Sequence, residues 1–348
     1  MPPTLQHPAR LVPLAFLLAI ALGTGLLMLP VARTGEGGAP FLTALFTATS
    51  AVCVTGLIVQ DTPAYWSGLG QGIILALFQV GGLGIMSGAT LLGLLVARRL
   101  RLSTRLVAQA ETRSLALGDV AGVLWLVLRV TVSVELVTAA VLALRLRHAY
   151  REPWAEAIWN GLFLAVSAFS NAGFSTYPDS LVSFARDPLV LGPVMVAVIL
   201  GGIGFPVLND MRRNPLRAAR WSLHTKITLL GTGLLLPGGT AAILAYEWSN
   251  PATLGLFGPA GKLLGAAFHS VMTRSGGFNA HDVGEMRPET LAVSYVLMMI
   301  GGGSAGTAGG IKVTTFLVLG LVVGRRSAAS QTSPHSGGAL PGTSRDRR

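Results

Sequence analysis

Long apolar runs separated by short polar breaks organise this chain. The runs cover 11–29, 72–96, 120–144, 189–208, 227–246 and 291–323, each near or above the roughly 20 residues that an α-helix needs to cross a bilayer. Six membrane-spanning helices are therefore predicted. The first run follows Arg10 and has the look of a secretory signal, but no small-x-small cleavage site closes it, so it reads as a retained helix. Three shorter, moderately apolar stretches, 41–59, 157–176 and 262–280, sit between the first and second, third and fourth, and fifth and sixth runs. Each has a helix-forming first half and a small-residue, glycine-containing second half. Non-helical backbone at membrane depth is tolerated only where protein buries it or where it lines water. The pattern therefore predicts segments that enter the membrane and return on the same side.

The unit of helix, re-entrant loop and helix is written three times, over 1–110, 111–220 and 221–326, and a polar tail comes after it at 327–348. Gly56, Gly173 and Gly277 occupy equivalent points of the three units, and a period this long marks duplicated domains rather than a solenoid. The tail is rich in Ser, Gly, Pro and Arg and is predicted to be disordered.

Composition sharpens this picture. Of 348 residues, 51% are hydrophobic and only 12% charged, about half the roughly 25% of a soluble domain, which argues against a water-soluble fold. The single cysteine, Cys53, excludes a disulfide framework and a cysteine-rich metal site, and it reads as a small packing residue. The net charge of +11 raises nucleic acid as a partner, but the basic residues lie in three strips after every second long run. They are Arg98, Arg99, Arg101, Arg105 and Arg113; Arg212, Arg213, Arg217, Arg220 and Lys226; and Arg325, Arg326, Arg345, Arg347 and Arg348. That distribution predicts a cytoplasmic face carrying the strips and the N-terminus. No strip combines an aromatic platform with a recognisable module, so nucleic acid is set aside. Most acids, among them Asp61, Glu152, Asp179, Asp187, Glu247 and Asp282, fall in the opposite loops, where Arg145, Arg147 and Arg151 are exceptions. Tyr65, Trp66, Trp154, Trp159, Trp248 and Tyr295 read as an interfacial belt on that side.

The three short stretches carry the candidate chemistry. A cation leaving water needs several oxygens at bonding distance without a fixed charge that would trap it, and backbone carbonyls that turn the same way supply them. Glycine permits the dihedrals required. The helix leading into each loop aims its C-terminal partial negative charge at the loop, which favours a cation over an anion. Helix packing alone would explain one such glycine; three in register point to a filter.

The phrases Thr47 to Leu57 (TATSAVCVTGL), Ser167 to Ser175 (SAFSNAGFS), Thr273 to Asn279 (TRSGGFN) and Ile300 to Phe316 (IGGGSAGTAGGIKVTTF) resemble the Trk/Ktr/HKT superfamily of potassium transporters, in particular the bacterial Ktr-type membrane subunit. The resemblance implies an all-α polytopic membrane protein in which potassium-channel-like helix, pore-loop and helix repeats surround a pseudo-symmetric pore. It implies a potassium filter of backbone carbonyls at Thr55, Gly56, Ala172, Gly173, Gly276 and Gly277, and potassium, with sodium left open as a permeant or coupled ion, as the substrate. It implies no tightly bound cofactor. It also implies a multi-pass protein of the bacterial inner membrane, working as a homodimer on a cytoplasmic, nucleotide-binding regulatory subunit, with lipid around it.

Six glycines among the ten residues Gly301 to Gly310, each costing about 1 kcal/mol in a helix relative to alanine, predict a hinge or loop inside the sixth run. The resemblance makes this segment an intramembrane gate built from Gly301, Gly302, Gly303, Ser304, Gly306, Thr307, Gly309, Gly310 and Lys312. Gly302 to Gly306 also fits the G-x-S-x-G pattern of a hydrolase nucleophile, but an apolar helix rather than a strand precedes it. No Asp, His or Arg cluster supports the alternative of a polytopic membrane enzyme. Gly82 and Gly84 read as a helix-packing face. Arg129 and Glu135, both within the third run, are predicted to steady the structure by pairing with each other or with another repeat, the alternative being that they bias ion entry, and Arg274 is predicted to brace its loop. His269 and His281 lack the spacing of a metal site.

The resemblance calls for a fourth repeat, whereas after Gly324 this sequence turns polar. A truncated or frameshifted transporter, or a non-transporting accessory copy of one, is the alternative expectation.

Overall fold

The computed structural model describes residues 8–99, 120–215 and 217–331. The predicted boundary near residue 110, the tail beyond 331, and Arg101, Arg105, Arg113, Arg345, Arg347 and Arg348 lie outside the described residues. The described chain is helical; its only bridges are the isolated pairs Arg33–Trp66 and Ile300–Ile311.

Repeat 1 comprises α1 (Pro8–Leu27), the short α2 (Phe41–Val52) and α3 (Gly68–Arg99). In repeat 2, α4 (Val120–Ala149) and the short α5 (Trp154–Ser170) precede α6 (Pro188–Ile203) and α7 (Phe205–Arg213). Repeat 3 has α8 (Leu223–Glu247), the short α9 (Pro259–Met272), and α10 (Pro288–Met299) and α11 (Val313–Gln331) on either side of a loop. Proline opens all three short helices: Pro40 and Pro153 are the caps of α2 and α5, and Pro259 begins α9. Its fixed φ suits a first turn, where its missing N–H costs nothing. Asp187 caps α6 by accepting from the Leu189 amide at 2.9 Å, and Ser222 caps α8 by accepting from Thr225 at 3.2 Å.

Three described helical segments are long and apolar enough to span a bilayer: Gly68–Gly88, Leu124–Ala149 and Leu223–Glu247. The run at 189–208 is not the continuous helix its hydropathy predicts. It bends by 99° between α6 and α7. The run at 291–323 is also two helices, here in accord with its glycines. Residues 327–331, assigned from composition to a disordered tail, continue α11.

Three apolar clusters fill the described interior, one joining repeats 1 and 2, a larger one drawing on all three repeats, and a small one around Ile243, Leu254 and Ala266 in repeat 3. Phe78 of α3 lies edge-on to Phe163 of α5, with centroids 5.4 Å apart, and stacks on Phe174 of the following loop at 6.0 Å. Lipid is as apolar as these side chains, so their contribution is close packing rather than escape from water. Leu17, Leu22, Leu136, Leu230 and Leu319 point outward and are exposed, as a lipid-facing surface requires. Trp66 is 1% exposed, packed inside the first cluster.

Candidate functional site

The loops after α2, α5 and α9 converge. A Cβ on Gly56 would strike the Ala172 carbonyl oxygen, and a Cβ on Gly173 would sit 2.9 Å from the Gly277 Cα. The three glycines have φ of 77°, 72° and 79°, and only glycine adopts that region freely.

Two residues earlier in each loop, Val54 (55°), Asn171 (59°) and Ser275 (83°) are also left-handed, while Thr55, Ala172 and Gly276 between them are not. Alternation of this kind turns successive peptide planes so that their carbonyls face one side, the arrangement a dehydrated cation needs. The first two loops close identically, the Thr55 amide donating to the Ser50 carbonyl at 2.8 Å and the Ala172 amide to Ser167 at 2.7 Å. In the third, Gly276 donates to Met272 at 2.8 Å. The sequence reading missed all three left-handed residues. Asn171 carried a signal, since asparagine is enriched there, whereas a β-branched Val54 argues against such a conformation.

Gly56, Gly173 and Gly277 line a cavity of about 530 Å³ that also touches Asp61, Asp179 and Asp282, one carboxylate from each repeat. Other acids near this mouth are structural. Glu152 accepts from Tyr177 Oη at 2.6 Å and from Asn160 Nδ2 at 3.1 Å. Burial and that carboxylate hold the Tyr177 phenol well above its usual range. Asp187 is ion-paired with Arg145 Nε at 2.8 Å and accepts from Tyr150 Oη at 3.0 Å. Burial opposes ionisation of Asp187, but its hydrogen bonds with Arg145, Leu189 and Tyr150 prevail and lower its pKa. Tyr150, buried beside that carboxylate, is pushed up to about 12. Burial lowers His281, against the pull of Glu247.

Beneath the loops, the segment between α10 and α11 is folded back on itself. Its neck is closed by Gly301 N–H to Ile311 O, Ile311 N–H to Met299 O and Val313 N–H to Gly302 O, each 2.9 Å. Its tip docks on the break in repeat 2. Pro206 has no N–H to donate back to Gly202, and Phe205 turns its own away from Gly201, so the carbonyls of Gly201 and Gly202 are released from α6. Gly303 N–H takes the Gly202 carbonyl at 2.8 Å, Thr307 N–H takes Gly201 at 3.1 Å, and Phe205 N–H donates to Ala305 O at 3.3 Å. Backbone groups at membrane depth are thereby satisfied without water. Gly301, Gly302, Gly303, Gly306 and Thr307 are buried, Ser304 is half-buried, and Gly309 and Gly310 are exposed. Lys312 Nζ donates to Ala308 O at 2.6 Å within the loop.

Arg274 bonds beyond its own loop, donating from Nη2 to the Gly301 carbonyl at 2.8 Å. Arg129 and Glu135 do not pair with each other: the one ion pair among the described residues is Arg145–Asp187. Arg129 lies over the Trp125 ring at 5.8 Å, whereas Glu135 does find a partner in another repeat, accepting from Gln79 Nε2 of α3 at 3.0 Å. Cys53 is exposed rather than packed. Among the described residues no group of three His, Cys, Asp or Glu could hold a metal ion.

A model of the TrkH family, described as cation transport proteins, matches residues 15–335. Ktr system potassium uptake protein B of Bacillus subtilis (strain 168) is 40% identical over 312 residues, covering 90% of this chain and 69% of that protein. Potassium/sodium uptake protein NtpJ of Enterococcus hirae is 36% identical over 318 residues, covering 90% of this chain and 68% of that protein. The crystal structure of the potassium transporter TrkH from Vibrio parahaemolyticus superposes with a TM-score of 0.71 at 16% identity. It covers 96% of this chain and 64% of that one, a likeness of fold.

Proposed function

Because this chain belongs to the TrkH family of cation transport proteins, a family of transporters rather than enzymes, we propose that it forms the ion-conducting wall of a potassium uptake protein. The observation that carries this reading is the left-handed, non-left-handed, left-handed alternation at Val54–Gly56, Asn171–Gly173 and Ser275–Gly277. Three loops in register offer carbonyl oxygens to one ion path. In this reading Asp61, Asp179 and Asp282 raise the cation concentration at the mouth. The carbonyls around Thr55, Gly56, Ala172, Gly173, Gly276 and Gly277 then replace the water shell of potassium.

The segment from Gly301 to Gly310, with Lys312, serves as the gate below them. Its six glycines and its cross-repeat amide bonds give it a compact closed form with few side chains to displace. The basic strips favour a cytoplasmic side for that end. A homodimer resting on a nucleotide-binding regulatory subunit accords with the resemblance to Ktr-type proteins, and Arg212, Arg213 and Arg217, all exposed at the end of α7 and just beyond it, offer that subunit a cationic surface. Sodium is the second ion to test, since one relative is named for both potassium and sodium.

Growth of a potassium-uptake-deficient bacterium in limiting potassium tests the reading. The chain, supplied with a matching regulatory subunit, restores growth, and Gly173→Asp abolishes it. A carboxylate there strains a left-handed position and traps the ion. Equal growth of both strains would overturn the assignment of the filter.

A further inference from the structure

The segment proposed as the gate is held from above by the filter loops themselves. Two consecutive residues of the third loop grip its two ends: Arg274 Nη2 donates to Gly301 O at 2.8 Å, and Ser275 Oγ accepts from Gly309 N–H at 3.0 Å. The second loop grips its tip. With the Asn171 amide nitrogen facing its acceptors, Asn171 donates to Thr307 Oγ1 at 3.3 Å, and to Val198 O and Ala168 O at 3.1 Å each. Thr307 Oγ1 in turn donates to the Phe169 carbonyl at 3.2 Å.

Asn171 and Ser275 hold the same place in their repeats, two residues before the filter glycine, and both are left-handed. The side chain that each left-handed residue directs toward the gate belongs to the peptide that orients the next filter carbonyls. A non-glycine residue at φ of 83° is held there only by its surroundings, and here those surroundings include a gate amide.

We infer that Asn171 and Ser275, with Arg274, are positioning residues that couple the filter to the gate: departure of the 301–310 segment removes the hydrogen bonds that fix the left-handed turns, and an ion in the filter favours the docked segment. Coupling of this kind is reciprocal. The inference rests on the reading of 301–310 as the gate.

Rubidium uptake by proteoliposomes containing the chain, with and without competing sodium, provides the first test. Ser275→Gly removes the acceptor and, because glycine populates negative and positive φ about equally, leaves the turn free to depart from the left-handed conformation. Ser275→Asn restores an acceptor in a residue that tolerates this conformation. Ser275→Gly is expected to raise the initial rate and to lower the rubidium-over-sodium preference together, each by about fivefold, the size of one neutral hydrogen bond. Ser275→Asn returns both toward the native values. A rate change with preference untouched would make Ser275 a plain latch and overturn the coupling, as would no change in either.

Amide exchange judges the coupling independently of transport. In the native chain potassium chloride, compared with choline chloride, slows exchange at Thr307 and Gly309, and Ser275→Gly removes that dependence. Potassium-independent exchange in the native chain overturns the inference. Absence of native uptake, with potassium-dependent exchange retained, overturns the transport reading alone.

Discussion

The second helix of repeat 1 carries Gly81-Gly82-Leu83-Gly84 and that of repeat 2 carries Gly201-Gly202-Ile203-Gly204. α3 nevertheless runs on unbroken, while α6 and α7 turn through 99°. The first glycine does the same work in both. A Cβ at Gly81 would strike the Val52 carbonyl oxygen and one at Gly201 the Phe169 carbonyl oxygen, so each lets the C-terminal end of a short helix rest on the long one. The residues just after the glycines separate the two helices. Ile85 and Met86 continue α3, whereas Phe205-Pro206 withholds the amide that would extend α6. Repeat 3 goes further: Gly301-Gly302-Gly303-Ser304 begins a loop, and that loop takes up the carbonyls that the break in repeat 2 releases. A helix break in one repeat is thus the docking site for the excursion in another.

Substitutions at matched positions separate these roles. The largest effect is expected at the shared glycine: Gly201→Val and Gly81→Val each force a branched side chain onto a carbonyl oxygen. Overpacking of this sort costs roughly 1–3 kcal/mol or more, and folded yield in detergent should fall sharply for both. Native-like melting of either variant would refute the close approach. Next is the residue where the helices diverge. Gly204 has φ of 93°, so Gly204→Ala should lose about 1–3 kcal/mol and disturb the docked 301–310 segment. Gly84→Ala, inside a regular helix and 3.3 Å from the Phe16 ring, should change stability by less than about 1 kcal/mol. Similar losses in thermal melts of the two would mean that the bend places no special demand on its glycine.

The smallest effect is the pH response of the Arg145–Asp187 strut. The Asp187 carboxyl is lowered in the folded chain, so its contribution is present above the ordinary carboxylate pKa near 4 and is lost as pH falls through the lower folded value. The melting difference between the native chain and Asp187→Asn should therefore shrink on acidification below about pH 4. A difference that grew on acidification would reverse the assigned sign.

Much of the architecture was legible in advance. Hydropathy located the long helices, the three re-entrant stretches and their glycines, because span length and glycine's dihedral freedom are local properties of the chain. The glycine run at 301–310 announced a loop for the same reason. The bend at Gly204 was legible in principle from Gly-Phe-Pro, but a continuous apolar run masked it. Other features had no local signal. Val54 adopts φ of 55° against its own preference, Gln79 rather than an arginine meets Glu135, and Arg274 reaches the Gly301 carbonyl.

By itself the sequence determined that the chain lives in a membrane, and it carried the thrice-written pattern of long run, short stretch and long run with a glycine in each short stretch. The tertiary structure alone decided that the three glycine loops meet and which amides take the carbonyls that the broken helix gives up. The amides that take those carbonyls lie about a hundred positions away in the chain, and in hydrocarbon each backbone group must find such a partner wherever the fold supplies it.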